Sequence, residues 1–270
     1  MTNPILPLLA TGLYWGVGAL LWRGQRRGGT HGPARGGIYA LALGAIVLHG
    51  ALLYGDLFQP QGLNLGFTQA ISLVAWAVAA LFLVAALTRP IESLGTIIMP
   101  GVGLMLMLAW LWPGQHWIAI KKTPLEPAHI IISLLAYSLL SIAVLQSVML
   151  MLQERYLRAH HAGGFLSTLP PLETMERLMF QMIAVGFALL TIAVISGVFF
   201  SEAVFGQPLR FTHHVVLSLI AWAVFAVLLI GHWRFGWRGR SAVRWTLAGF
   251  SLLALAYFGS KFVLEVILSR

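Results

Sequence analysis

Long apolar runs broken by short polar stretches dominate this chain, and that pattern predicts its elements. Eight runs approach or exceed the roughly 20 residues that a bilayer-spanning helix needs. They lie at about 4–22, 37–55, 67–87, 93–112, 128–152, 179–201, 214–231 and 245–268. Most connections are short and rich in turn residues, as in Asp56-Leu-Phe-Gln-Pro-Gln-Gly62. The stretch from Gln153 to Leu178 is longer. There Pro170-Pro171 precede Leu172-Glu-Thr-Met-Glu-Arg-Leu178, which reads as a short interfacial helix opened by proline. The reading is all-α: a polytopic membrane protein of eight transmembrane helices in one integral-membrane domain, residues 1–270.

Composition supports this and narrows it. Of 270 residues, 59% are hydrophobic and 9% charged, where a water-soluble domain is about a quarter charged. A soluble enzyme, a disordered chain and a coiled coil are thereby excluded. Cysteine is absent, which removes disulfides, thiolate metal sites, redox pairs and covalent haem attachment through a CxxCH motif. The net charge of +9 does not point to nucleic acid, because no soluble domain exists to present a basic face.

Those cations set orientation instead. Arg23, Arg26, Arg27, Arg35, Arg89, Arg155, Arg158, Arg177, Arg234, Arg238, Arg240 and Arg244 all follow the odd-numbered spans. They are twelve of the 17 basic residues, so that side is cytoplasmic and both termini face the periplasm. Met1-Thr-Asn-Pro4 lacks the positive start of a cleaved signal peptide, so span 1 is read as a retained helix. The chain is therefore placed in a bacterial inner membrane.

A local pattern recurs in three spans that run inward: Ser72-Leu-Val-Ala-Trp76, Ser133-Leu-Leu-Ala-Tyr137 and Ser218-Leu-Ile-Ala-Trp222. In the second and third, His129 and His214 lie four residues before the serine, about one helical turn. This sets two imidazoles at one depth and on one face near the outer leaflet. His49 in span 2 falls near the same depth. Ionisable groups inside a bilayer tend to face a protein interior or cavity; the alternative is that each histidine caps a helix or sits at the interface beside aromatic belts.

Haem suits a cleft between apolar helices, because its iron takes neutral imidazoles axially. His129 and His214 are the candidate metal ligands, with His49 as a further cofactor-binding candidate; His232, at the inner end of span 7, reads as interfacial on its own. Lys121, Lys122 and Arg210 are candidate propionate partners. Trp110, Trp112 and Trp117 offer flat apolar surface, or form an interfacial belt. Zinc fits less well, lacking an evident third ligand and outer-shell carboxylate. His116, His213, His160 and His161 read as solvated or interfacial.

Lys261 and Glu265 stand i,i+4 in span 8 and form a structural pair or line a transport path. Glu202 follows span 6, where a carboxylate could accept a hydrogen bond from a ligating histidine. Pro100-Gly101-Val-Gly103 in span 4 allows a kink or a close helix contact. Hydrolase, nucleotide-binding and dinucleotide motifs are missing in any suitable context. Nor do the spans show an inverted repeat with paired broken helices, as many transporters do.

Three stretches carry a resemblance: His129-Ile-Ile-Ile-Ser-Leu-Leu-Ala-Tyr137, Gly186-Phe-Ala-Leu-Leu-Thr-Ile-Ala-Val-Ile-Ser-Gly197 and Glu202-Ala-Val-Phe-Gly206. It continues through span 7 into Gly236-Trp-Arg-Gly-Arg240. In this order they resemble the cytochrome c assembly protein family, the haem-handling membrane proteins of cytochrome c maturation. Gly62-Leu-Asn-Leu-Gly66, Arg89-Pro-Ile-Glu92 and Tyr257-Phe-Gly-Ser-Lys261 look most like its YpjD/HemX-like branch.

The resemblance implies an outer-face haem-ligand role for His129, and it makes His232 a further cofactor-binding candidate, at the position of an intramembrane histidine in the synthetase members. Where the family carries a tryptophan-rich haem-binding loop, this chain has Gln207-Pro-Leu-Arg-Phe-Thr-His213, without Trp or Asp. A second outer histidine, expected before the last helix ends, is absent from residues 256–268. The internal repeat offers His214 in its place.

The expectation is a non-enzymatic haem-binding protein that assists cytochrome c or haem-protein biogenesis. It would hold non-covalent b-type haem, and its partners would be other cytochrome-assembly membrane proteins and the lipid bilayer. The alternatives are a membrane adaptor or regulator that keeps the fold without haem, or a small-molecule transporter.

Overall fold

The computed structural model describes residues 4–26, 33–59, 62–89, 91–114, 116–118, 125–159, 169–199, 213–259 and 262. Among them are eight helices long and apolar enough to cross a membrane. They are α1 (Ile5–Arg26), α2 (Pro33–Leu57), α3 (Phe67–Thr88), α4 (Glu92–Leu111), α5 (Leu125–Arg158), α6 (Leu172–Phe199), α7 (His213–Phe235) and α8 (Gly239–Ala254). A π-helical turn, Leu255–Gly259, continues α8. Contacts divide the chain into two compact units: Met1–Ala119 with His161–Pro170, and Ile120–His160 with Pro171–Arg270.

In the first unit α1 packs on α2 and α4, and α3 packs on the same two helices. The α1–α4 contact is close because Gly18 meets Pro100: a Cβ at Gly18 would lie 2.6 Å from the proline ring. Small residues let apolar helices approach where no water is present to drive them together. The indole N–H of Trp15 donates to the Pro100 carbonyl at 3.1 Å, and the Thr11 hydroxyl donates to the Gly103 carbonyl at 3.4 Å. The Pro100–Gly103 segment thus serves as a close helix contact.

At one end of this unit, Arg35 on α2 pairs with Glu92 at 2.8 Å and donates to the Ala86 carbonyl at 2.9 Å. Ala86 lies in the last turn of α3, where carbonyls have no helical partner. Arg35→Ala should therefore lower the thermal unfolding midpoint of the purified protein. The cost is about 1 kcal/mol, because the arginine is partly exposed.

Three short antiparallel strands close the other end: β1 (Phe58–Gln59), β2 (Gly62–Asn64) and β3 (Trp117–Ile118), in the order β1-β2-β3. Phe58 faces Leu63, and Leu63 faces Ile118. Asn64 ties this end together. Its amide donates to the Gly114 carbonyl at 3.0 Å, and its Oδ1 accepts from the backbone N–H groups of Gly66 and His116. The Asp56–Gly62 stretch reads as a turn from sequence, since strands of two or three residues leave no periodicity to detect.

The second unit repeats the arrangement with other helices. α5 packs on α6 and α8, and α7 packs on α6, α8 and the π turn. The recurring sequence pattern has a matching contact in each unit. Trp76 on α3 donates its indole N–H to the Ile46 carbonyl on α2 at 2.9 Å. Trp222 on α7 donates to Thr191 Oγ1 on α6, also at 2.9 Å.

Three boundaries among the described residues differ most from the sequence reading. The stretch 172–178, expected as a separate interfacial helix, forms the first turns of α6. Met175, Leu178 and Met179 are buried, so one apolar stripe runs unbroken into the span. α5 extends to Arg158, and α8 begins at Gly239 rather than near 245.

The sharp α7–α8 connection depends on Gly236, which has φ +67°. Its N–H bonds the His232 carbonyl at 3.1 Å, a left-handed helix cap. Glu176 on α6 accepts the Gly239 N–H at 2.7 Å at the start of α8, where a carboxylate favours the helix dipole. Gly236→Ala should cost about 1 kcal/mol through its left-handed backbone, read as a lower unfolding midpoint.

Candidate functional site

His129 lies one turn into α5, half-buried, and its Nδ1 is 2.7 Å from Ser196 Oγ on α6. Helices α5 and α6 are joined after Arg158 and pack together, so the start of one meets the end of the other at a common depth. The ring also rests near Gly197, where a Cβ would stand 3.5 Å from Cε1. His214 opens the first turn of α7 and is exposed. Tyr257 in the π turn presents its ring to His214 at 6.2 Å in an edge-on arrangement. Tyr257 in turn neighbours Tyr137 of α5 at 6.1 Å. The Tyr137 hydroxyl donates to the Leu253 carbonyl at 2.6 Å, just before the π turn.

The structure brings His129 and His214 into one unit, on two helices that both pack against α6 and α8. Haem iron takes such a donor set, two imidazoles from separate helices. Zinc needs a third or fourth protein ligand in most sites, and no group of three or more His, Cys, Asp or Glu suited to a metal occurs among the described residues.

His232 stands at the other end of α7. Its Nδ1 is 2.9 Å from the Trp237 carbonyl, which can only accept, so Nδ1 is the donor in that bond. The ring stacks on Phe180 at 3.5 Å between centroids and 15° between planes. Trp237 stacks on Trp245 at 5.5 Å. The arginine-bearing end of this unit also holds Glu154, bonded to Arg158 and 3.6 Å from Arg240.

His49 belongs to the first unit and is fully buried. Both its ring nitrogens are engaged: Nδ1 with the Tyr14 hydroxyl at 3.2 Å and Nε2 with Ser72 Oγ at 2.9 Å. Bound to iron, His49 would have to give up one of these bonds. Ser72 also lines a cavity of about 20 Å³ with Gln69, Asp56 and Trp110. That holds about one water and is far too small for a haem.

Trp112 is exposed and Trp117 lies in β3; with Trp110 they belong to the first unit. His116 is held through its backbone, donating to Asn64 Oδ1 and accepting from the Leu65 N–H. His213 is exposed beside His214. Lys121, Lys122, Arg210, Glu202, Lys261, Glu265, His160, His161 and the loop 207–212 lie outside the described residues.

Sequence reasoning missed Ser196 as the partner of His129. The available signal was depth. Ser196 lies three residues before the end of α6 and His129 four residues after the start of α5, in neighbouring helices joined to run in opposite directions.

The eight helices define a multi-pass membrane protein whose second unit carries His129 and His214 on separate helices. The chain belongs to the cytochrome c assembly protein family, whose model matches residues 39–268. It is 33% identical to the inner membrane protein YpjD of Escherichia coli over 268 residues, 98% of this chain and 99% of that protein. It is therefore an inner-membrane protein. Protein HemX of Brevibacillus brevis is 23% identical over 141 residues, about half of each chain (52%). The cytochrome c biogenesis protein CcsA of Thermosynechococcus vestitus is 33% identical over 87 residues, 32% of this chain and 27% of that protein.

Proposed function

We propose that this protein binds non-covalent haem in its second unit and serves as a haem-handling factor in cytochrome c or haem-protein biogenesis, with no covalent chemistry of its own. The observation that carries the reading is the pair His129 and His214, set on separate helices that share the same two neighbours. Haem supplies an iron that takes two axial imidazoles and a large apolar plane. The chain supplies one imidazole fixed against α6, one on the first turn of α7, and the aromatic rings of Tyr137 and Tyr257 beside them. Lys121, Lys122 and Arg210 are proposed to pair with the propionates, as charge-assisted donors do with carboxylates. The CcsA relative is a cytochrome c biogenesis protein, which supports placing this chain's partners among cytochrome-assembly membrane proteins.

Haem titrated into the purified protein should give a Soret band that shifts on reduction. An absorbance no different from free haem in the same detergent would refute the reading. The orientation of the site follows from the arginine distribution, which favours both termini in the periplasm. Alkaline phosphatase fused after Arg270 should then be active, while a green fluorescent protein fusion there stays dark. The opposite pair of results would place the termini in the cytoplasm.

A further inference from the structure

We infer that the small cavity of the first unit is a binding site for one water molecule, which links the Ser72 hydroxyl to Asp56 and completes a one-way hydrogen-bond chain running from Tyr14 through His49. This site is independent of the haem reading. Tyr14 Oη and Ser72 Oγ stand 3.2 and 2.9 Å from the two ring nitrogens of His49, and among the described residues neither hydroxyl has another hydrogen-bond partner. A neutral imidazole has one N–H and one lone pair, so one hydroxyl donates to the ring and the other accepts from it. The accepting hydroxyl keeps a proton that needs a further acceptor. Tyr14 is 0% exposed, so no water-sized space reaches it, and as the acceptor it would bury an unpaired donor at the full cost of desolvation. Ser72 lines the cavity, where its proton can be taken up. The arrangement that pairs every buried donor is therefore Tyr14 O–H to Nδ1, Nε2–H to Ser72 Oγ, and Ser72 O–H into the cavity.

The cavity suits a water in size and in chemistry. Its volume is about 20 Å³; one water needs roughly 10–15 Å³ and about two to four polar partners. Three polar side chains line it: Ser72 and Gln69 from α3, and Asp56 from the last turn of α2. Gln69 is buried and bonds the Thr68 hydroxyl with one end of its amide, so the other end has no partner among the described residues. Asp56 is exposed at the rim, and its carboxylate accepts from the water that accepts from Ser72. A metal ion would find too few oxygens there, since calcium takes about six to eight. The water thus carries a buried chain that joins α1, α2 and α3 out to the surface at Asp56. His49 spends its one lone pair on Tyr14 and keeps none for a metal.

The test uses the full-length protein in detergent micelles. Nitrogen-15 NMR of histidine-labelled protein, with His49 assigned by its loss in a His49→Gln variant, should show Nε2 protonated and Nδ1 bare. A predominant Nδ1–H form, or a ring protonated on both nitrogens, would overturn the inference. Ala109 also lines the cavity, so Ala109→Val should fill it and expel the water. The Ser72 proton then loses its acceptor and turns onto Nε2, and the ring should move from predominantly Nε2–H to predominantly Nδ1–H. Asp56→Leu, at an exposed position where folding tolerates the change, removes the carboxylate that holds the water and should shift the ring the same way. It decides the question if Ala109→Val fails to fold. A ring still predominantly Nε2–H in the folded variants would show that no water in the cavity takes the Ser72 proton, and would overturn the site.

Discussion

A double His129→Ala/His214→Ala variant is expected to lose the haem Soret band altogether while keeping its helical content. Each single variant should weaken haem binding by more than the roughly 10–100-fold that loss of an outer-shell partner costs, because each removes a proposed axial ligand outright. His129 is half-buried and fixed by Ser196, whereas His214 is exposed on the first turn of its helix. His129→Ala should therefore be the more severe of the two. Reduced-minus-oxidised spectra and haem titrations of the three variants measure this directly. A Soret band in the double variant that matches wild type in position and affinity would remove the pair as the site. The same band lost in His232→Ala and kept in the double variant would move the haem to the other end of α7.

His49→Ala is the second large effect, and it should appear in stability rather than in haem binding. The substitution strips partners from the Tyr14 hydroxyl and Ser72 Oγ, both buried within the first unit. Hydrogen bonds between helices in a membrane average about 0.6 kcal/mol and reach about 1.7, so the two bonds together contribute roughly 1–3 kcal/mol. Truncating a fully buried ring adds a cavity cost comparable to a large-to-alanine change, about 2 kcal/mol at the low end. The sum, about 3–5 kcal/mol, is a large share of the stability of a marginal fold. A thermal unfolding midpoint in detergent within error of wild type would show that the Tyr14–His49–Ser72 chain contributes nothing. His49→Gln, which keeps one donor and one acceptor, should fall between the two. A haem spectrum altered in folded His49→Gln would instead count His49 among the ligands, as its depth in the sequence suggests.

His49 and His129 show how much of the candidate site was legible beforehand. Both look alike in sequence: a lone histidine in an apolar run at similar depth. What separates them is the chemistry of the neighbours. Two hydroxyls face the ring of His49, one from each adjacent helix, and they occupy both nitrogens. Ser196, which also donates to the Ala193 carbonyl of its own helix, stands 2.7 Å from Nδ1 of His129. Neither Tyr14 nor Ser196 lies within 30 residues of its histidine, so no local pattern could join them. The Trp76 and Trp222 contacts were more accessible, because a short repeat marked both positions and each unit uses its tryptophan to reach the preceding helix.

The sequence alone determined that this is an eight-span membrane protein. Apolar length is set by bilayer thickness and is read one segment at a time, and the family match rests on motifs in chain order. It also placed His129 and His214 near equivalent helix ends, since depth along a helix is a matter of counting residues. The tertiary structure alone decided which faces meet. It joined 172–178 to α6, seated Gly18 against Pro100, built a small sheet from strands too short to leave a pattern, and chose the partner of each histidine. Those outcomes depend on the rotation of one helix about its axis relative to another. Rotation is set by close packing between residues distant in sequence, and a run that is apolar all round carries little record of it.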